Sequence, residues 1–248
     1  MIKYDNNLKI FYSSLINDDL YFSGFGTRAL GDARRHPTNI INFLKNNKID
    51  YQTLVVPEQI HSTNIEVFQK ETNESLVKVG ETDGLITKDK GVVLTVVTAD
   101  CCPIIFSEEK AGIIGISHQG WRGSIKRMVQ KMISKMIDLG AKIDEIKLAI
   151  GPTIGECCYD IDDDRYFQFL SEFDGYSKEI FHFRKGRWHL NLAKLNYLLA
   201  VNIGVKKENI DFFPFCTQCD KNHFFSYRRY KQNQKEEYGE MFSFILKS

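Results

Sequence analysis

Short apolar runs rich in β-branched and aromatic residues recur along the chain and end at turn-forming or charged residues. Such runs are typical of buried β-strands. Several follow one another too closely for a crossover helix between parallel strands, so we expect a mixed sheet with antiparallel neighbours. The predicted strands are Leu20–Phe25, Tyr51–Val56, Ile65–Phe68, Gly84–Thr87, Val92–Val97, Ile104–Phe106, Ala111–Ser117, Ile146–Ile150 and Ile210–Phe215.

A helical period of apolar residues predicts a helix between Ser124 and Gly140, with Ser124 as its N-cap and Gly140 at its end. Two further helices are predicted, one that starts at Asn191 and stops near Gly204, and one over Pro37–Asn46. The apolar positions of the first helix are Ile125, Met128, Val129, Met132, Ile133, Met136 and Ile137.

Strands interleaved with helices predict an α/β (α+β) fold. The chain has no repeat, no low-complexity segment and no linker rich in Pro, Gly or Ser. We therefore expect residues 1–248 to form a single domain.

The composition does not change the predicted fold class, but it narrows the classes of binding partner. Of 248 residues, 43% are hydrophobic and 26% charged, as in ordinary globular proteins, and the formal net charge is +1. That charge provides no field that attracts nucleic acid or an anionic membrane. The N-terminal sequence MIKYDNNLKI lacks the apolar core of a signal peptide. We expect a cytoplasmic protein that binds small molecules, with no nucleic-acid and no membrane partner.

The six cysteines do not resemble an extracellular disulfide framework, because four of them form the adjacent pairs Cys101-Cys102 and Cys157-Cys158. We expect reduced thiols. In a reducing compartment, a cysteine near histidines indicates metal binding or catalysis.

Three strand-like runs end on a metal-ligating residue, at His61, Cys101 and His118. Neighbouring strands bring their ends together, so these residues can form a Cys/His₂ set that leaves the fourth position of zinc open, as in catalytic sites. Adjacent residues of a strand face opposite sides, so Cys101 and Cys102 cannot both reach one metal. We assign Cys101, which follows Asp100, because we expect Pro103 to turn the chain just beyond it. The alternative is that the histidines are ordinary polar residues at strand ends and the cysteine a small core residue.

Two glycine-containing segments are candidates for ligand contact. Gln119-Gly120-Trp121-Arg122-Gly123 leads into the predicted helix, and a helix N-terminus with an arginine attracts phosphate. Packing of Trp121 and Arg122 within a turn is the alternative. Gly151 and Gly155 belong to a loop that either lines a pocket or forms only a turn.

Two other segments have a less specific pattern. Cys216 and Cys219 have the spacing of a metal knuckle, but the adjacent Cys157 and Cys158 match the required second pair poorly, so we expect no second zinc site. The segment 224–229, FFSYRR, is interpreted either as a core strand that ends in solvated charges or as a ligand contact.

Several common enzyme motifs are absent from the sequence. There is no G-x-S-x-G elbow, no G-x-G-x-x-G fingerprint after a strand and no cytidine-deaminase pattern of H-x-E with P-C-x-x-C. Serine hydrolases and NAD enzymes are therefore disfavoured.

Several strings, taken together, resemble the multicopper-oxidase-like laccase-domain family, also called the YfiH or peptidoglycan-editing-factor family. The resemblance runs in order from about Phe22 to Ile245. The strings are TADCCP at 98–103, HQGWRG at 118–123, GPTIG at 151–155, FFSYR at 224–228, QIHST at 59–63 and DGLIT at 83–87.

The resemblance implies a layered sandwich of mixed sheets flanked by helices, with zinc ligands at His61, Cys101 and His118. It also implies purine nucleoside chemistry: phosphorolysis of adenosine, inosine and S-methyl-5′-thioadenosine, and hydrolytic deamination of adenosine. Purine nucleosides and phosphate are then the expected small-molecule partners. The older family label, polyphenol oxidase or laccase, implies copper instead.

The resemblance also suggests roles for individual residues. Zinc would activate water for attack on adenosine C6, and Asp100 would orient that water or exchange protons with it. The alternative is that Asp100, as the neighbour of Cys101, faces away from the metal. Arg28 or Arg122 would balance the charge of phosphate. We assign substrate binding to Arg28, Gln119, Trp121, Arg122, Gly151 and Gly155.

The segment around Arg28 departs from the family pattern. The chain reads TRALGD at 27–32, which retains the arginine and lacks the paired glycines of the family. This departure puts the backbone shape of the loop and the breadth of substrates in question.

Three rival functions remain open from the sequence. A copper-dependent phenol oxidase needs many histidines, and the chain has only six. A cell-wall precursor hydrolase would use Cys101 as nucleophile, and a non-enzymatic module would bind metal and sense nucleosides without turnover. The histidines are His36, His61, His118, His182, His189 and His223.

Overall fold

The computed structural model of the chain describes residues 1–34, 37–71 and 74–248. His36, one of the six histidines counted above, lies outside the described residues. The strands are β1 (Ile2–Asp5), β2 (Ile10–Ser13), β3 (Tyr21–Gly26), β4 (Thr53–Pro57), β5 (Ile65–Val67), β6 (Leu76–Val79), β7 (Gly84–Thr87), β8 (Val92–Thr98), β9 (Cys102–Glu108), β10 (Ile113–Gln119), β11 (Lys147–Ile150), β12 (Asp160–Ile161), β13 (Phe181–Arg184), β14 (Arg187–Leu190), β15 (Ile210–Phe212) and β16 (Met241–Lys247). The helices are α1 (Thr38–Asn46), α2 (Trp121–Ile125), α3 (Met128–Asp138), α4 (Asp163–Phe173), α5 (Ser177–Ile180), α6 (Leu192–Ile203) and α7 (Tyr227–Gln232).

The strands form mixed sheets, as the short connections predict. A seven-stranded sheet has the order β1-β2-β3-β16-β8-β4-β6, and a six-stranded sheet has the order β15-β11-β9-β10-β7-β5. A small antiparallel sheet, β12-β14-β13, completes the described strands. In the large sheets, β9 and β10 pair antiparallel, whereas β4 pairs parallel with both β6 and β8.

Apolar side chains on alternate residues of the central strands bury both faces of each large sheet. In β9, Ile105 packs into the core between the two sheets, whereas Ile104 and Phe106 pack against α3 and α6. In β8, Leu94 faces the core between the sheets and Val93 packs on the side of α1. Both faces are therefore apolar, which explains why these strands are continuous apolar runs in the sequence.

The resulting layers are helix α1, the seven-stranded sheet, the six-stranded sheet, and helices α3 and α6. This arrangement confirms the predicted α/β (α+β) class with layered mixed sheets and flanking helices. None of the helices in the described ranges is long and apolar enough to cross a membrane.

The predicted strands coincide with observed strands to within a few residues. The predicted set omits β1, β2, β6, β12, β13 and β14, and it also omits β16. This strand lies at the centre of the seven-stranded sheet, paired with β3 on one side and β8 on the other. The interpretation of segment 224–229 as a core strand was wrong. The hydroxyl of Ser226 accepts the backbone N–H of Arg229, and this cap starts the short helix α7.

The single helix predicted between Ser124 and Gly140 is two helices in the structure. The helical conformation is interrupted at Arg127, which adopts a left-handed conformation with φ of 61°. The guanidinium of Arg127 lies 4.7 Å from the centre of the Phe173 ring and donates to the carbonyl of Glu172. These contacts to α4 are tertiary, so the apolar spacing alone does not show the break.

The predicted ends of the helices were partly correct. Ser124 does not cap a helix start, because α2 already begins at Trp121, and the Ser124 hydroxyl accepts a hydrogen bond from Asn196. Gly140 has φ of 102° and follows the end of α3, as predicted. The side chain of Asn191 caps α6 by accepting the backbone N–H of Lys194.

Candidate metal centre

The structure brings His61, Cys101 and His118 together. One ligand atom from each residue lies within 4.8 Å of the others. Cys101 Sγ is 3.9 Å from His61 Nε2, and the two imidazole rings are nearly perpendicular with centres 4.7 Å apart. Two imidazoles and one thiol at these separations can converge on a single metal ion and leave its fourth position open.

Different elements position the three residues. His118 belongs to β10, opposite Pro103 of β9 in an antiparallel pair, and Cys101 lies immediately before β9. His61 follows β4 in a loop, where it adopts a left-handed backbone conformation with φ of 59°. The pairing of β9 and β10 therefore places Cys101 near His118, and the loop after β4 supplies the third ligand.

Asp83 fixes two of these residues. Its Oδ1 lies 2.7 Å from Nδ1 of the buried His118 and 3.1 Å from the backbone N of His61, which donates to it. Its Oδ2 accepts from both the backbone N–H and the hydroxyl of Ser62. With Nδ1 of His118 engaged by the carboxylate, Nε2 is the nitrogen that faces the group, as in many metal sites.

The pKa values of Cys101, His118 and Asp83 depend on the charges and hydrogen bonds that these residues share. Burial would raise the pKa of Cys101, but the charges and hydrogen bonds of His118 and His61 lower the pKa to about 7. Burial would lower the pKa of His118, but Cys101 and Asp83 raise it to about 10. Hydrogen bonds from His118 and Ser62 outweigh burial and lower the pKa of Asp83. The thiolate, which is the metal-binding form of cysteine, is therefore favoured at Cys101.

The neighbouring cysteine has a different environment. Cys102 lies in β9, is fully buried in the core beneath the six-stranded sheet, and is not part of the ligand group. The two adjacent thiols thus lie in different surroundings. The expected turn at Pro103 was wrong, because Pro103 belongs to β9 and the strand continues to Glu108. On the other side of the group, a Cβ added to Gly120 would lie 3.0 Å from Cys101 Sγ and 3.1 Å from His61 Cδ2. The bare glycine leaves the space next to the ligands open.

The three ligand residues line a cavity of about 770 Å³. This volume is within the range of sites for small molecules. Its walls combine aromatic rings with charged groups, an arrangement suited to a flat ring that carries polar or anionic substituents. Among the lining residues are Trp121, Tyr159, Tyr227, Tyr238, Arg34, Arg122, Arg165, Arg228, Glu58 and Glu240.

Two arginines flank the indole of Trp121. The guanidinium carbons of Arg122 and Arg165 each lie 4.5 Å from the centre of the Trp121 ring. Both side chains line the cavity, so positive charge is concentrated next to this ring. An anionic group of a ligand would be attracted there.

Asp100 precedes Cys101 and lines the cavity, but its carboxylate is engaged elsewhere. One oxygen accepts the hydroxyl of Thr217, and the other accepts the hydroxyl of Ser226 and the backbone N–H of Arg228. Burial outweighs these hydrogen bonds and raises the pKa of Asp100. These partners fit a positioning residue that ties two loops to the backbone of Cys101 better than a group that exchanges protons with water.

Four of the sequence-predicted site residues do not line this cavity. The guanidinium of Arg28 binds the carbonyl of Lys221 and the carboxylate of Glu237. Gln119 is fully buried and donates to Ser117. The remaining two are Gly151, where a Cβ would lie 2.4 Å from the ring of Phe25, and Gly155, which contacts Cys216.

The structure also brings Cys157, Cys158, Cys216 and Cys219 into one group. The sequence predicts no second site, because the adjacent Cys157 and Cys158 match the C-x₂₋₄-C spacing poorly. In the structure, residues 156–158 form a turn, in which neighbouring side chains can point the same way.

Several residues of the candidate site were missed from the sequence, above all Asp83, Tyr159, Arg165 and Arg228. Asp83 begins the quoted DGLIT string, and Arg228 ends the FFSYR string, so both carried a signal in the family resemblance. Arg165 carried no such signal, because it reaches the cavity from α4 only through the tertiary fold.

Fold and site together define a layered α/β protein with a Cys/His₂ metal-ligand group on the wall of a ligand-sized cavity. The chain belongs to the family described as multi-copper polyphenol oxidoreductase laccase, which matches residues 25–248.

Relatives and solved structures agree with this assignment. The chain is 32% identical over 187 residues to an adenosine deaminase, RL5, from an unknown prokaryotic organism, which covers 73% of this chain and 71% of the relative. It is 34% identical over 168 residues to a purine nucleoside phosphorylase of Rickettsia prowazekii (strain Madrid E), which covers 64% and 68% respectively. The crystal structure of a hypothetical protein YfiH from Bacillus licheniformis superimposes with a TM-score of 0.82 at 26% identity and covers 92% of this chain and 93% of that one.

Proposed function

We propose that this protein is a zinc-dependent purine nucleoside enzyme. It would catalyse phosphorolysis of adenosine, inosine and S-methyl-5′-thioadenosine, and hydrolytic deamination of adenosine. The observation that carries the proposal is the Cys/His₂ group, held by the buried Asp83, on the wall of a cavity with aromatic and arginine side chains. The names of the relatives support the substrate class.

The donor set fits zinc. One thiolate and two imidazoles are ligands that zinc prefers, and a set of three with an open fourth position is typical of catalytic zinc. A multicopper oxidase needs a blue-copper centre and a trinuclear centre, which require more histidines. Within the described residues, the two groups with metal-ligand geometry contain only two histidines, His61 and His118.

Zinc bound here would supply Lewis-acid activation of water near neutral pH, which hydrolytic deamination requires. The residues of the chain orient the reactants. Asp83 holds His118 and the His61 loop in a fixed geometry, so the ligand atoms need little rearrangement. The aromatic residues Trp121, Tyr159 and Tyr227 provide apolar surfaces for a purine ring.

Phosphorolysis exchanges the bond between the sugar C1′ and the purine nitrogen for a bond between C1′ and a phosphate oxygen, and the purine leaves with a proton. This reaction requires phosphate and nucleoside in one cavity. Arg122 and Arg165 lie together at Trp121 and would hold the phosphate through charge-assisted hydrogen bonds.

The test is to purify the protein without added metal, quantify bound zinc and copper, and incubate it with adenosine in the presence and absence of phosphate. We expect about one zinc per Cys/His₂ group. We also expect release of adenine that depends on phosphate and release of inosine that does not. The His118→Ala variant should lose both the metal of this group and turnover. If it keeps the metal of the Cys/His₂ group and full turnover of adenosine, the proposal is wrong.

The same preparation separates the rival functions. Copper together with phenol oxidation would indicate the oxidase, and zinc with tight nucleoside binding but no product would indicate a binding module. Turnover of a cell-wall precursor that is abolished by alkylation of Cys101 in the metal-free protein would indicate a cysteine hydrolase. Each of these results would replace the nucleoside enzyme.

A further inference from the structure

The second cysteine group lies in two loops that are far apart in the sequence. The sulfur atoms of Cys157, Cys158, Cys216 and Cys219 all lie within 4.8 Å of one another, and the four residues are free thiols. Cys219 Sγ is 3.5 Å from Cys157 Sγ and 3.4 Å from Cys158 Sγ. The group is separate from His61, Cys101 and His118, and metal binding by these cysteines does not depend on the proposed function.

These separations are close to those of a tetrahedral metal site. Four thiolates bound to zinc at about 2.3 Å have sulfur-to-sulfur distances of about 3.8 Å. The observed distances of 3.4 and 3.5 Å therefore require only small outward movements of the side chains. Two of the four residues, Cys157 and Cys219, are exposed, so an ion can reach the group from solvent.

The backbone around Cys216 is arranged for a thiolate. Its sulfur accepts the backbone N–H of Gly155 at 3.1 Å. Such N–H donors, which stabilise negative charge on sulfur, are common next to metal-bound cysteines. The spacing of Cys216 and Cys219 places both sulfurs on the same side of the turn at 217–219.

Positive charge lies next to the other cysteine turn. Arg228 donates to the carbonyl of Cys158, and Arg184 donates to the carbonyl of Glu156. Four thiolates with one divalent ion carry a net negative charge, which these guanidinium groups partly balance.

We propose that Cys157, Cys158, Cys216 and Cys219 bind a structural zinc ion. Each thiol loses its proton to solvent and forms one bond to the metal, so binding closes the tetrahedron and leaves no position for substrate. The ion joins the loop at 151–158 to the loop at 216–219, which also meet through the bridge between Thr153 and Cys216 and through the hydrogen bond from Gly155 to Cys216.

The test uses the full chain, purified under reducing conditions without chelator, and begins with the Cys101→Ser variant to remove a ligand of the first group. Bound zinc is quantified, and its ligands are identified by X-ray absorption. We expect about one zinc per chain in this variant, surrounded by four sulfur atoms at about 2.3 Å. A shell with nitrogen or oxygen neighbours would overturn the proposal.

Cys219 provides the matched substitutions because it is exposed. In the background of Cys101→Ser, we expect Cys219→Ser to lose the zinc and to unfold at a lower temperature, since a structural metal stabilises the folded state. The Cys219→His variant keeps a fourth ligand and should retain the zinc, because Cys₃His sites are common.

Other results would contradict the proposal. Zinc content that is unchanged in Cys219→Ser would show that the group does not hold the ion. A disulfide between Cys219 and either Cys157 or Cys158 in the reduced preparation, with no zinc bound, would show that the cysteines are a redox pair. Iron in the four-sulfur shell would overturn the assignment of zinc.

Discussion

Asp83 Oδ1 lies 2.7 Å from Nδ1 of His118, and both side chains are buried. Asp83 lies at the end of the loop after β6, immediately before β7. The pairing of β7 with β10 places Asp83 beside His118. The same carboxylate accepts the backbone N–H of His61. One acidic side chain therefore orients two of the three ligand residues.

The first prediction concerns the Asp83→Asn variant. An amide keeps the size of the side chain, but its NH₂ group would oppose N–H donors from His61 or Ser62. We expect the dissociation constant of the metal at the Cys/His₂ group to rise by about 10- to 100-fold, as for other residues behind metal ligands. Competition with a chromophoric chelator measures the change.

Asp18→Asn is the matched control for this variant. The Asp18 carboxylate likewise accepts backbone N–H groups of its own turn, from Leu20 and Tyr21. Its replacement should leave metal affinity unchanged. Equal affinity of wild type and Asp83→Asn would show that the carboxylate does not orient the ligands.

The adjacent cysteines provide a second prediction. Cys101→Ser should lose the metal of the first group, because a hydroxyl is a much weaker ligand than a thiolate. Cys102→Ser should retain that metal and be destabilised by about 1–3 kcal/mol, since it places a hydroxyl among buried apolar side chains. Metal analysis and denaturant unfolding of both variants separate the two effects. The reverse pattern would reassign the ligand to Cys102.

A third prediction concerns the space beside the ligands. The Cβ of Gly120→Ala would lie 3.0 Å from Cys101 Sγ and 3.1 Å from His61 Cδ2, which is closer than ordinary contact. Gly120 has φ of −71°, so alanine fits the backbone and the conflict is with the ligands alone. We expect metal affinity to fall on the order of tenfold. In the control Gly175→Ala, the added Cβ meets nothing within 4 Å, and metal affinity should not change.

The fourth prediction tests the phosphate position and rests on the proposed function. Arg165→Ala removes one of the two guanidinium groups at Trp121. We expect the KM for phosphate in phosphorolysis to rise by about tenfold or more, with a smaller effect on deamination, which uses no phosphate. Arg165→Lys keeps the charge and should recover part of the affinity. An unchanged KM for phosphate in Arg165→Ala would place the anion elsewhere.

Much of the fold follows from the sequence, because strands buried on both faces produce continuous apolar runs, as in β8 and β9. The break at Arg127 does not follow. It depends on contacts with Glu172 and Phe173, which are distant in sequence. The same apolar residues would fit one long helix equally well.

The sequence predicts those site residues whose positions are fixed by the end of a strand. His118 lies near the end of β10, opposite Pro103, and Cys101 comes immediately before β9, so their proximity follows from antiparallel pairing. The role of Asp83 and the approach of Arg165 depend on tertiary packing. The four-cysteine group was missed because the adjacent Cys157 and Cys158 do not match the C-x₂₋₄-C spacing, whereas the turn at 156–158 brings both sulfurs to the group.

The position of β16 has a consequence for the order of folding. This strand separates β3 from β8, so without residues 241–247 the seven-stranded sheet consists of two unconnected parts. Both partners precede it by more than half of the chain, and such distant pairing requires the closure of long loops before contacts form. Assembly of this sheet during synthesis must therefore wait until β16 has emerged from the ribosome, and until then the apolar edges of β3 and β8 remain open to chaperones or to aggregation.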